Sequence, residues 1–198
     1  MNASSGQEHI GLFGGTFDPP HMGHLIVASH VREELGLDRI VFMPAMTPPH
    51  KQDREVTAGE MRMSMVERAI EGDHRFSVSG IEVNRGGVSY TIDTVRALLA
   101  QTPGLAITVL IGMDNLVDFG TWRDPEGILA VSRVVVMTRP GFTPGGGAMY
   151  LPRMTVCEVP DIGIAARDIR RRVASGKSIR YLVPPGVEAY IREQGLYR

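Results

Sequence analysis

A short apolar run, Ile10 to Phe13, leads into Gly14-Gly15-Thr16-Phe17-Asp18-Pro19-Pro20-His21-Met22-Gly23-His24, and a helical pattern starts where that stretch ends. Strand, phosphate-sized turn and helix start follow one another without a spacer, which commits the chain to an α/β arrangement with a ligand-facing turn. Glycines let the backbone approach a ligand, while the free amides and the positive dipole end of the following helix attract anions. His21 and His24 lie three residues apart at that helix start, so they share one face and aim both imidazoles at the same anion. Gly23 between them carries no side chain to block the approach, and Pro19-Pro20 supply φ angles suited to entering a helix.

Two other readings of the stretch are weaker. A dinucleotide-binding turn wants G-x-G-x-x-G and an acidic residue closing the second strand to hold a ribose. Here the second strand, Arg39 to Met43, runs into Pro44 instead, which argues against NAD as a bound redox cofactor. A metal site built from Asp18, His21 and His24 lacks the further Cys or His cluster that such sites use, so no protein-held metal is expected.

A length of 198 residues with 43% hydrophobic content suits one α/β domain with a sizeable core. The net charge of −1 comes without a basic run interleaved with aromatics, so no nucleic-acid polymer is expected as a partner. No apolar run approaches the ~20 residues needed to span a bilayer, so no membrane is expected either. Residues 1–8 are polar, lack the regions of a signal peptide and read as a flexible lead-in to a domain over 9–198. The single Cys157 cannot form an internal disulfide, which agrees with a reducing cytoplasm, and reads as a small apolar side chain in a strand. Homo-oligomerisation is left open by the sequence.

From Ile10 onward, short β-like runs alternate with longer helical ones, the pattern of parallel strands joined by crossover helices. Leu25, Ala28, Val31 and Leu35 mark a first helix ending at Gly36. Thr57 and Glu60 form a capping box for a helix over 58–71 with Met61, Met65, Ala69 and Ile70 inward. Phe76 to Val83 alternates like a third strand, and Ser89-Tyr90-Thr91 opens a helix carrying Val95, Leu98 and Leu99. Leu105 to Ile111 is the most continuous apolar strand and so a central one, buried on both faces. A helix starting at Asp124-Pro125-Glu126, a strand over 133–138, a flexible connection over 141–147, a strand over 154–159 and helices over 165–174 and 187–193 complete the pattern. Ligands bind outside the carboxyl ends of parallel strands, and the polar sequences all sit at such ends. Gly14 to His24, Pro48 to Lys51, Ser89 to Thr91, and Asp114 with Trp122 could therefore line a single crevice.

Gly14 to His24 resembles the GxFDPxHxGH signature of the HxGH nucleotidylyltransferases. The ordered series that follows extends the likeness over nearly the whole chain: Pro48-Pro49-His50-Lys51, Ser89-Tyr90-Thr91, Gly112-Met113-Asp114, Trp122-Arg123, Thr138-Arg139-Pro140-Gly141 and Ser178 to Pro184. Together they resemble the bacterial nicotinate-nucleotide adenylyltransferases. The resemblance implies a Rossmann-like, doubly wound parallel sheet in a single domain. It also implies adenylyl transfer from ATP to nicotinate mononucleotide, giving deamido-NAD (nicotinate adenine dinucleotide) and pyrophosphate in NAD biosynthesis, with Mg²⁺ carried on the ATP phosphates. By the same resemblance His21 and His24 are catalytic and meet the ATP phosphates, with Gly14, Gly15, Thr16 and Phe17 beside the reacting phosphate. Gly112 and Asp114 belong to the ATP ribose, and Arg139 and Arg170 to phosphate contacts. Lys51, Ser89, Tyr90, Thr91, Trp122 and Arg123 belong to the nicotinate mononucleotide.

Each assignment has a plainer rival. Trp122 could pack in the core, Asp114 could cap a helix, and Lys51 could be a solvated loop charge; His9, His30 and His74 lack such context and read as surface residues. One departure matters: the family shows an ISSTxxR-like helix start, and here the matching stretch is Ile164-Ala165-Ala166-Arg167-Asp168-Ile169-Arg170. The hydroxyls are gone, and Arg167 is either their replacement on the triphosphate or a solvent-facing charge. Pantetheine-phosphate adenylyltransferase shares the nucleotide turn but is similar to a shorter chain without the PPHK and SYT series. For a non-catalytic nucleotide-sensing domain, Ala165-Ala166 speak in favour and the intact His21 and His24 against.

Overall fold

In the computed structural model, which describes residues 7–47, 56–138 and 145–198, strands and helices alternate along the chain. They are β1 (His9–Gly15), α1 (Met22–Leu35), β2 (Arg39–Pro44), α2 (Gly59–Ala69), β3 (Phe76–Val78), α3 (Ile81–Arg85), α4 (Thr91–Gln101) and β4 (Ala106–Gly112), followed by α5 (Met113–Asp118), α6 (Pro125–Val131), β5 (Arg133–Thr138), β6 (Thr155–Glu158), α7 (Ala166–Ala174) and α8 (Pro185–Glu193). The strands form one parallel sheet in the order β3-β2-β1-β4-β5-β6. This is the doubly wound arrangement expected, and its order reverses between β1 and β4, where a crevice opens beyond the strand ends.

The two-residue period of the strands builds two cores. Ile10, Leu12, Val41, Met43, Val109 and Val136 point to one face, against α4, α5 and α6. Ile40, Phe42, Leu110, Val135 and Met137 point to the other, against α1 and part of α2. β4 is buried on both faces, with Ile107, Val109, Leu110 and Ile111 each under 5% exposed, as its unbroken apolar run requires. Cys157 lies in the second core, where burial pushes its thiol up and keeps it unreactive. A third cluster joins α2, α7 and α8 through Met65, Ile169, Val187 and Ile191.

Several expectations need correction. The strand expected over 76–83 stops at Val78, and the chain turns at Gly80 into the short helix α3; the apolar alternation of Ile81 and Val83 reflects packing of a helical turn. The capping box expected of Thr57 and Glu60 is absent, because α2 starts at Gly59 after Ala58 and the Thr57 amide donates instead to Asp18 Oδ2 at 3.3 Å. That helix ends at Ala69, and Met61, Ala69 and Ile70 are only half-buried while Met65 is fully buried. Gly145–Arg153, part of it expected to be a flexible connection, forms 3-10 turns whose Tyr150 ring packs 5.2 Å from that of Phe119; residues 141–144 lie outside the described residues. Of the lead-in, Glu8 is already tied to the sheet: its carbonyl accepts from the Ala106 amide at 2.8 Å and its carboxylate pairs with Arg39. His9 and His30 are half-buried, not surface residues, because each ring nitrogen has an oxygen partner, Thr108 Oγ1 at 2.7 Å and the Glu158 carbonyl at 2.9 Å. His74 is exposed.

Candidate active site

The turn after β1 reaches α1 through a cap made of its two histidines. His21 is the N-cap residue in extended conformation, and its side chain and that of His24 each take up a backbone amide across the first turn, an exchange more often made by Ser or Thr with Glu or Gln. The His21 amide donates to His24 Nδ1 at 3.1 Å. Since Nδ1 accepts, the neutral His24 ring carries its proton on Nε2. The rings stack with centroids 3.7 Å apart and planes 23° from parallel, so the pair that the spacing placed on one face stands together at the positive end of a fourteen-residue helix. A Cβ on Gly23 would lie 3.1 Å from His21 Nδ1, which is why that position carries no side chain.

Phe17 is buried with φ of 49°, and its ring meets His24 edge-on at 5.0 Å and Phe13 at 5.8 Å. A non-glycine residue in the left-handed region persists only where its surroundings hold it. The holding residue sequence reading missed is Arg62 of α2, 1% exposed, whose guanidinium donates to the carbonyls of Thr16 (2.8 Å), Thr57 (2.7 Å) and Met46 (2.9 Å). Burial pulls its pKa down against the charges of Asp18, Tyr197 and Glu60, and the three carbonyls satisfy its fork of buried donors. Arg68, the second arginine of α2, looks the same in sequence; only the fold tells the two apart.

Beside the turn, at the switch between β1 and β4, lies a cleft of about 480 Å³. Gly14, Gly15 and Thr16 form one side, Ser89, Tyr90 and Thr91 another, and Asp114, Trp122 and Arg123 the third. Three motifs far apart in the chain thus share one crevice, as their places at strand ends implied; of Gly14 to His24 only Gly14, Gly15 and Thr16 line it, and Pro48 to Lys51 lie outside the described residues. Trp122 is half-buried, its ring 5.3 Å from Phe119, so it is anchored in the core and also faces the cleft. Asp114 is exposed in the first turn of α5, where the N-cap is Gly112; a Cβ at Gly112 would lie 2.4 Å from Asp114 Oδ1, so glycine there makes room for the carboxylate. The helix-cap reading of Asp114 is therefore set aside. Arg123 lies over the Tyr90 ring at 4.8 Å and pairs with Asp93 at 3.3 Å.

Glu82 also lines this cleft and was hidden by the misread third strand. It is 7% exposed, and burial raises its carboxyl above the ordinary range against the opposing hydrogen bonds of Thr94 and Ser89 and the charge of Arg85. The Thr94 hydroxyl donates to Glu82 Oε1 at 2.6 Å, and Arg85 Nη2 donates to Thr94 Oγ1 at 3.1 Å. Ser89 Oγ accepts from the Met46 amide at 3.0 Å, so this hydroxyl joins the β2 exit to the cleft wall.

The two arginines of the altered helix start differ. Arg170 Nη1 donates to the Asp18 carbonyl at 2.6 Å and so belongs to the nucleotide turn. Arg167 is 78% exposed, 3.9 Å from Asp168. Lys51 and Arg139 lie outside the described residues.

A glycine turn, a histidine pair at a helix start and a cleft at the switch point define a nucleotidylyltransferase of Rossmann-like fold, and the cytidylyltransferase-like family model matches residues 12–180. A nicotinate-nucleotide adenylyltransferase of Desulfitobacterium hafniense is 40% identical over 206 residues, with 100% of both chains covered, and that of Geobacillus thermodenitrificans is 44% identical over 189 residues, covering 95% of this chain and 85% of its own. The chain belongs to the nicotinate-nucleotide adenylyltransferases of that family. In fold it is also similar to the nicotinic acid mononucleotide adenylyltransferase of Plasmodium falciparum complexed with NaAD, with a TM-score of 0.79, 17% identity, and 96% of this chain and 97% of that one covered.

Proposed function

We propose that the protein transfers the adenylyl group of ATP to nicotinate mononucleotide, forming deamido-NAD and pyrophosphate in NAD biosynthesis. The observation that carries this reading is the stacked His21–His24 pair at the start of α1, set beside a cleft whose walls are the SYT segment, Asp114 and Trp122. A phosphate oxygen of the mononucleotide attacks the α-phosphorus of ATP as the bond to the departing pyrophosphate breaks, with no covalent enzyme intermediate. Such a reaction asks the protein for alignment and for donors aimed at the developing charge. His24 Nε2–H, His21 and the α1 amides supply those donors; Thr16 and Phe17 hold the turn against the reacting phosphate. Asp114 suits ribose hydroxyls, and Trp122 with Tyr90 and Thr91 suits the pyridine ring and its carboxylate. Lys51, Arg139 and Arg170 add positive charge, while Arg167 is exposed beside Asp168.

Among the described residues, no group of three or more His, Cys, Asp or Glu is placed to hold a metal ion. Mg²⁺ would be carried on the triphosphate oxygens, where it neutralises charge. No described helix is long and apolar enough to cross a membrane, and a lone buried cysteine together with ATP as substrate fits the cytoplasm. Purified protein given ATP, Mg²⁺ and, in separate reactions, nicotinate mononucleotide, nicotinamide mononucleotide or phosphopantetheine is expected to release pyrophosphate fastest with the first. Equal or faster release with the amide overturns the acceptor assignment, and ATP binding without release from any acceptor overturns the enzyme.

A further inference from the structure

Asp18, in the middle of the nucleotide turn, is 7% exposed and does not line the cleft, yet residues from three distant parts of the chain bond to it. The Tyr197 hydroxyl, 179 positions away and beyond α8, donates to Asp18 Oδ1 at 2.6 Å. The Thr57 amide donates to Oδ2 at 3.3 Å, and Arg170 Nη1 donates to the Asp18 carbonyl at 2.6 Å. Arg62 holds the neighbouring Thr16 carbonyl and adds a compensating charge nearby. Costly backbone lies on each side of this contact: Tyr197 itself has φ of 64°, and Phe17, which precedes Asp18, has φ of 49°. Two left-handed non-glycine backbones bracketing one short hydrogen bond indicate a contact held in place from both sides.

We infer that Tyr197 is a positioning residue for adenylyl transfer: through Asp18 it fixes the turn that presents Thr16, Phe17 and the histidine pair to the reacting phosphate. Burial and the adjacent carboxylate push the Tyr197 hydroxyl well above its ordinary range, so it remains a donor at every working pH. Its ring also packs near Met65 Sδ, at 3.9 Å from the hydroxyl, which couples the turn to the α2–α7–α8 cluster. Without the hydroxyl, Asp18 Oδ1 loses a donor in a nearly dry site, and the turn relaxes away from the geometry the transfer needs. The inference rests on the adenylyl-transfer reading of the site.

The test compares Tyr197→Phe, Asp18→Ala and the double variant with the unaltered protein, at a temperature where calorimetry shows all of them folded. Tyr197→Phe should lower kcat by about tenfold, as small misplacements of reacting groups do, with KM for the mononucleotide within about twofold. The double variant should be no slower than Asp18→Ala alone, because both changes break the same link. Tyr190→Phe, on α8 with its ring under Arg68, is the control for lost stability and should leave kcat unchanged. Unchanged kcat in Tyr197→Phe, or losses that simply multiply in the double variant, overturn the inference. Inactivity of the unaltered protein overturns the proposed function instead.

Discussion

His24 concentrates what a single side chain does here. Its Nδ1 accepts from the His21 amide, which fixes the ring, and in the proposed reaction its Nε2–H is the donor to a phosphate oxygen. His24→Ala should lower kcat by about 10² or more, because a pre-aimed donor to developing charge is lost in a site that water cannot refill as well. Near-normal kcat in that variant would demote His24 to a capping residue. The pairing of the two histidines was legible in the sequence, because spacing of three at a helix start has one geometric meaning. Their stacking and mutual capping were not, since these depend on the turn's return path, which Phe17 and the buried Arg62 set.

At the scale of elements, α7 starts without the hydroxyls that the resemblance in sequence leads one to expect there. Its N-cap is Ala165, in the extended conformation a capping serine would adopt, and no side chain caps the helix. Ala165→Ser should raise unfolding stability by about 1 kcal/mol. Calorimetry reads this as a midpoint about 2–4 °C higher for a chain of this size; an unchanged midpoint would mean that the first turn of α7 is already satisfied. The strand and helix order was readable from apolar periodicity because each long element is anchored by several residues on one face. Short elements defeat that reading: three residues of β3 and five of α3 present too few periods to separate a period of 2 from one of 3.6, and Glu82 was lost with them.

Across the whole molecule, stability should carry the imprint of Glu82. Its carboxyl is raised in the folded state, so the folded protein holds a proton that the unfolded chain releases more readily. The contribution is therefore fully present below the ordinary carboxylate range and is lost as pH rises through the elevated folded value. Glu82→Gln, which keeps an acceptor for the Thr94 hydroxyl, should match the unaltered protein at acid pH and exceed it in unfolding free energy at neutral pH. Urea unfolding across that interval checks this, and parallel curves would show that Glu82 is ionised at no cost. The cleft itself was readable as a meeting of motifs at strand ends, whereas the groups that brace it, Arg62, Glu82 and Tyr197, carry no local pattern and are visible only once distant segments meet.

Arg62 also settles how the chain can vary. One guanidinium grips the carbonyls of Met46 and Thr57 and ties both to the nucleotide turn. The entropy of closing a loop grows only with the logarithm of its length, so residues added or removed between the two flanks cost little once the flanks are pinned. The number of residues between Met46 and Thr57 can therefore change at small cost in stability while both flanks stay fixed to the nucleotide turn.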